Sequence, residues 1–274
     1  MTTDRELVDL LDGVWSAIDG FAPSLTEAEW KRATDLPGWS VQDNLVHLTA
    51  IEAMLLGRPL PKADVAELPA YVKNDFGRAN ERWVESRRSW AGAEAYAEFR
   101  EVTRARLAQL RALDTAGFDA ESWTPMGPGT VRTMLSFRIF DCWVHEQDMR
   151  RALERPGDLD TPVADFSLGM MAGALGFIVG KKAAAPEGAV VVFSLGGPLA
   201  RELVVAVVDG RAALVAPDAP PGDPTVVLRA GTEDFARLVT GRIDAERALG
   251  AGAITVEGDD DLGRRVVAEI NYLF

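Results

Sequence analysis

Along the first half of the chain, apolar residues recur at the spacing of helices rather than strands. Between Arg5 and Asp19, the residues Leu7, Leu10, Leu11, Val14, Trp15 and Ile18 fall on one stripe of period near 3.6, the pattern of an amphipathic bundle helix. A second helix is expected after the turn Leu36-Pro37-Gly38-Trp39, where Ser40 can cap free amides and Asp43 completes a capping-box pattern; it should run to about Gly57. The prolines between Arg58 and Pro69 break the periodicity and mark a loop. Helical patterns return at about Ala70 to Trp90 and Ala93 to Leu113, with Gly92 as an interruption or kink between them. After the turn Met126 to Thr130, a last helix is expected from about Val131 to Leu153, ended by Pro156-Gly157. Helices joined in this way predict an up-and-down bundle.

From about Leu159 the pattern changes. One more helix, near Val163 to Val179, precedes short β-branched runs at Ala189 to Ser194, Leu203 to Val208, Ala212 to Val215 and Thr225 to Arg229. Gly196-Gly197-Pro198 reads as a turn, and Asp209-Gly210 suits a two-residue hairpin link. Helices follow at Thr232 to Thr240 and Asp260 to Leu273. The expected division is 1–157 as a helical bundle and 158–274 as a smaller α+β domain.

Length and composition agree with two domains: 274 residues with 47% hydrophobic content can bury a sizeable core. A net charge of -13, with basic residues scattered rather than clustered, opposes binding to nucleic acid. No run approaches the roughly 20 uninterrupted apolar residues of a membrane span. The start, MTTDRELVDLLDG, lacks the basic and apolar regions of a signal peptide, so the expectation is a cytoplasmic protein with no membrane partner. Cys142 is the single cysteine, which rules out an internal disulfide framework and a cysteine-based zinc finger.

Candidate chemistry centres on two histidines, His47 and His145, each inside a segment read as helical. Asp141 precedes His145 by four residues, so both side chains leave one helix face about a turn apart, a spacing at which two ligands can grip one ion. An antiparallel bundle can bring His47 opposite that pair. Two imidazoles and one carboxylate leave a coordination position open to water or a thiol, the arrangement of a catalytic rather than a closed structural zinc site. On the residues alone the plainer reading is the stronger: a lone helical histidine more often packs or sits at a surface, and Asp-x-x-x-His recurs by chance.

Several neighbours are candidates for support. Asp148, three residues beyond His145, can accept its free ring N–H, and Arg138, one turn before Asp141, can orient the carboxylate. Asn44 stands one turn before His47. Each reads more readily as an ordinary intrahelical or surface group. Trp39 and Trp143 flank the ligand segments, where they can wall a pocket but read more readily as packing residues, and Cys142, about 100° around the helix from Asp141, reads as a small buried hydrophobe. Arg82, Arg87, Arg88, Arg229, Arg237 and Arg242 are possible contacts for an anionic cofactor or substrate, and no spacing singles one out.

The stretch Leu36-Pro-Gly-Trp-Ser-Val-Gln-Asp-Asn-Leu-Val-His47 and the later Asp141-Cys-Trp-Val-His145-Glu-Gln-Asp148-Met-Arg-Arg-Ala-Leu153 resemble the mycothiol-dependent maleylpyruvate isomerase family, whose wider relatives are DinB-like thiol transferases. The resemblance implies a metal-binding, DinB-like four-helix bundle followed by a smaller domain similar to the sterol carrier fold. It places the family's metal ligands on His47, Asp141 and His145, with aspartate where the best-known isomerases often carry glutamate. It further implies a divalent metal, zinc before nickel or iron, with mycothiol as thiol cofactor and a small electrophilic substrate. A metal-bound thiolate would add to a double bond or displace a leaving group, as isomerases and S-transferases require. A metal-dependent hydrolase and a non-catalytic small-molecule or lipid-binding protein stay open as alternatives.

Overall fold

Helix α1 (Asp4–Phe21) starts where Thr3 and Glu6 close a capping box, and it buries Leu7, Leu11, Val14, Trp15 and Ile18, the stripe its sequence period marks out. It belongs to a computed structural model that describes residues 2–63, 65, 68, 69, 72 and 74–271. The chain divides into two compact units, Met1–Gly157 and Asp158–Phe274.

The first unit continues with α2 (Glu27–Trp30), α3 (Val41–Leu55), α4 (Asp75–Arg87), α5 (Gly92–Arg111), α6 (Thr115–Asp119), a hairpin of β1 (Glu121–Thr124) and β2 (Gly127–Thr130), and α7 (Val131–Leu153). Ser40 and Asp43 form the expected capping box at the start of α3. The expected start of the next helix at Ala70 lies outside the described residues; α4 begins at Asp75, capped by Asn74. Gly92 marks a full break rather than a kink. A Cβ there would stand 2.0 Å from Trp30 Cδ1, so glycine lets the first turn of α5 lie against that indole.

Helices α1, α3, α5 and α7 make a four-helix bundle in which α1 packs mainly on α7 and α5, and α3 mainly on α5 and α7. Chain-order neighbours α1 and α3 therefore stand across a diagonal, which corrects the simple up-and-down ring. The physical reason is the length of the connections. The α1–α3 link carries α2, and the α5–α7 link carries α6 and the hairpin, so each reaches across an end of the bundle.

In the second unit, α8 (Pro162–Phe177) leads into a π-type turn, Ile178–Lys182, and then β3 (Val190–Gly196), β4 (Arg201–Val208), β5 (Arg211–Val215) and β6 (Val226–Gly231). After these come α9 (Thr232–Val239), α10 (Ala245–Gly250), β7 (Ile254–Gly258) and α11 (Asp260–Glu269); the expected end of the last helix at Leu273 lies outside the described residues. The strands form one sheet in the order β5-β4-β3-β6-β7, with β3 and β6 parallel and the other pairs antiparallel. The β4–β5 link has Asp209 and Gly210 both at positive φ, 52° and 71°, as a tight hairpin turn requires. Glu187 accepts from both of their amides.

By length and composition, the segment Pro162–Lys182 is apolar enough to cross a membrane, yet half of it is buried. Helix α8 packs on β5, where Gly176 and Gly180 permit close approach: a Cβ on them would stand 2.9 Å from Ala212 O and 2.7 Å from Ala212 Cβ. Its apolar surface thus serves a helix–sheet contact.

Candidate metal centre

From Val41 to Ala53 every residue of α3 is buried, including the polar Gln42, Asp43, Asn44, His47, Thr49 and Glu52. Buried polar groups need partners, and α3 finds many of them on α7, the helix it packs against. There Arg138, His145, Glu146, Gln147 and Asp148 are buried too. Between the two helices His47, Asp141 and His145 converge, each offering one ligand atom, all within 4.8 Å of one another.

The Asp141 carboxylate lies between the imidazoles. His47 Nε2 is 3.5 Å from its Oδ2, and His145 Nε2 is 3.6 Å from its Oδ1. The two rings stand 4.6 Å apart at 60°. On its far side, His145 Nδ1 is 2.7 Å from Asn44 Oδ1 and 3.4 Å from Asp148 Oδ2. The Asn44 amide is pinned, because its Nδ2 donates to Ser40 O and Thr34 Oγ1. Its oxygen must then accept, which places a His145 proton on Nδ1 and leaves Nε2 facing Asp141. Asp148 is held in turn by Arg151, which also reaches Asp35 at 2.8 Å. The expected companions of His145 and Asp141 are thus in contact with them, and Asn44 serves the second histidine rather than the first.

Protonation suits metal ligation. Burial pushes His47 down to about 4, against the pull of the Asp141 carboxylate, so the ring is neutral near pH 7. Burial works to raise Asp141, but the Arg138 guanidinium and the two histidines outweigh it and hold the carboxyl well below the usual carboxylate range. Arg138 donates to Asp141 Oδ2 from the adjacent turn. His47 Nδ1 is buried with no hydrogen-bond partner, while Nε2 faces the Asp141 carboxylate. Two buried imidazoles and one ionised carboxylate match the donor set of a three-ligand divalent site.

Trp39, expected to pack, does so against the site itself. Its ring centroid is 5.2 Å from that of His47 and 5.9 Å from that of His145, tilted 26° from the latter, while its Nε1 donates to the buried Glu81 at 3.0 Å. Trp143 is a buried core residue. A cavity of about 360 Å³ adjoins the Trp39 turn, lined by Pro37, Gly38, Glu81, Glu85 and Arg88 among others. Cys142 is fully buried, and burial pushes its thiol up to about 12, so it is no thiolate. Four of the candidate arginines are engaged within their own unit: Arg87 with Glu98, Arg88 with Asp43 and Glu85, Arg229 with Glu257, and Arg237 with Asp234.

Sequence reasoning misses Glu52 and Arg106, which stand behind Arg138, and Glu81, which anchors Trp39. Their signal is faint: a charge inside a helix whose other faces are apolar, as Glu52 is between Ala50-Ile51 and Ala53-Met54.

Comparison with known proteins places the chain in a family. The family model described as mycothiol maleylpyruvate isomerase N-terminal domain matches residues 11–150, and that of the corresponding C-terminal domain matches residues 165–265. Crystal structures of the mycothiol-dependent maleylpyruvate isomerase and of a mutant of it are similar in fold, at 18% identity over 93% of this chain and 93% of theirs, with a TM-score of 0.55. Sterol Carrier Protein 2 from Yarrowia lipolytica aligns at 16% identity over 39% of this chain and 94% of its own, with a TM-score of 0.30. No curated protein matches. The N-terminal model by itself spans more than half of the sequence, and the chain belongs to the mycothiol maleylpyruvate isomerase family.

Proposed function

We propose that this protein is a metal-dependent isomerase that uses mycothiol on a small electrophilic substrate, with His47, Asp141 and His145 as the metal ligands and zinc as the ion. The observation that carries the reading is the convergence of two buried imidazoles, that of His47 neutral, and one ionised carboxylate within 4.8 Å. A divalent ion bound there supplies positive charge that keeps a coordinated thiol deprotonated, and the thiolate is the form that adds to an electron-poor double bond.

The residues of the chain prepare this chemistry. Asn44 and Asp148 hold a proton of His145 on Nδ1 and aim Nε2 toward Asp141. Arg138 fixes the orientation of Asp141. Trp39 covers both imidazoles with an apolar face and excludes water from that side. Asp141 is the most exposed of the three side chains, 19% accessible against 6% and 7% for the histidines, so the carboxylate side is where a thiol would reach the site.

Titration of zinc-loaded and chelator-treated protein with mycothiol, followed by a maleylpyruvate isomerisation assay, tests the proposal. Saturable thiol binding confined to the zinc-loaded form is the expected result. Equal binding by both forms, or ester hydrolysis that proceeds without thiol, would defeat it.

A further inference from the structure

Arg138 does not reach Asp141 unaided. Its Nε donates to Glu52 Oε1 at 2.6 Å, its Nη1 to Asp141, and its Nη2 lies 3.4 Å from both Leu48 O and Cys142 Sγ. The other oxygen of Glu52 accepts from Arg106 Nε at 3.2 Å. Three charged side chains from α3, α5 and α7 therefore meet inside the bundle: Glu52 fully buried, Arg138 at 3% side-chain exposure and Arg106 at 7%.

Burying three charges is costly, and apolar residues of similar volume commonly serve a core as well or better. Stability is thus a poor reason for this triad, whereas its connection to the site is direct. Glu52 lies on the same helix as His47, and Arg138 on the same helix as Asp141 and His145, so one carboxylate ties the two ligand-bearing helices together behind the ligands.

We propose that Glu52 is a positioning residue for the metal centre, one that touches neither ion nor thiol and acts by holding the Arg138 guanidinium at a fixed reach from Asp141. The inference rests on the metal reading given above. With Glu52 neutral, the Arg138 guanidinium loses the partner that fixes its Nε, and the Asp141 carboxylate loses its fixed orientation.

The test is zinc affinity by chelator competition, with cobalt(II) absorption as the reporter of ligand geometry. Glu52→Gln should bind zinc about 10- to 100-fold more weakly, the size of effect seen when the partners of metal ligands are lost, and its cobalt spectrum should shift. In an Arg138→Met background the same change should add less than about 3-fold, because the path through Arg138 is already cut. If wild type binds no zinc, the metal reading fails and this inference falls with it. If wild type binds and Glu52→Gln binds equally tightly with an unaltered cobalt spectrum, or if the two losses simply add, the role of Glu52 alone is overturned. Should Glu52→Gln fail to fold, the charge-free variant Glu52→Leu/Arg106→Met/Arg138→Met keeps an apolar core. It carries the same expected loss, and unchanged affinity there overturns the proposal.

Discussion

The two units of this protein solve the problem of a core in opposite ways. Among the described residues, every buried charged side chain lies in the first unit, including Glu52, Glu81, Arg106, Arg138, Glu146 and Asp148. The buried polar side chains of the second unit are three hydroxyls, Ser167, Thr232 and Thr240, each donating to a backbone carbonyl. Its centre is a run of valines and Phe193 on β3 and β4. An apolar core is the cheaper way to hold a fold together, and ionised groups are buried where something other than stability requires them. The contrast supports the bundle as the place of the proposed chemistry.

The sharpest way to separate the units is to damage the apolar one. Phe193 is fully buried and meets Phe235 at 6.1 Å, edge to face. Phe193→Ala should destabilise the second unit by about 3–5 kcal/mol through lost transfer energy and a cavity, read by hydrogen exchange of β3 and β4 amides. Metal content should stay that of wild type, and a parallel loss of metal would dissolve the division of labour.

Acid should act on the other side of the comparison. Unfolded His47 takes up a proton below about pH 6.5, whereas in the folded, metal-free protein the ring resists protonation until about pH 4. The stability His47 contributes is therefore complete above pH 6.5 and lost as the pH falls toward 4, by roughly 3 kcal/mol in all at about 1.4 kcal/mol per unit. All seven tryptophans lie in the first unit, so denaturant unfolding followed by tryptophan fluorescence reports it selectively. A midpoint unchanged between pH 6.5 and 4 would contradict the burial of a neutral His47.

Smaller effects calibrate the scale. Gly92→Ala drives a methyl into Trp30 and should cost about 1–3 kcal/mol, visible in the same fluorescence transition. Arg229→Ala removes an exposed pair with Glu257 on the sheet and should leave the thermal midpoint of the protein unmoved within error.

How much of this was legible in the sequence depends on whether an element speaks locally. Helix α7 is expected from Val131 to Leu153 and spans those residues, and α3 begins at its capping box, because caps and apolar periods are local signals. The α+β character of the second unit and the isomerase family are legible for the same reason. The β1–β2 hairpin is not: strands of four residues with Pro128, Gly127 and Gly129 show no alternation, and only the turn stands out. Strand β7 hides because Gly250 to Ala253 precede a short Ile-Thr-Val run. The diagonal placement of α1 and α3 is set by connections whose path no periodicity records.

At the site, the scarcity of histidine and the four-residue spacing of Asp141 and His145 mark out the three converging side chains. The buried triad behind them is invisible, since a lone Glu52 or Arg106 in a helix looks like an ordinary surface charge until its neighbours close around it. Asn44 shows the same limit: it stands one turn from His47 in the chain, yet its oxygen meets His145 across the bundle.

The central claim is that His47, Asp141 and His145 hold an ion together, and elemental analysis of purified wild type beside His47→Ala tests it most directly. A metal centre of these three residues predicts one equivalent of divalent metal in wild type and less than about a tenth of that in the variant, with the helical circular dichroism of both alike. Full retention of metal by folded His47→Ala, or no metal in wild type after growth in zinc-supplemented medium, would contradict it.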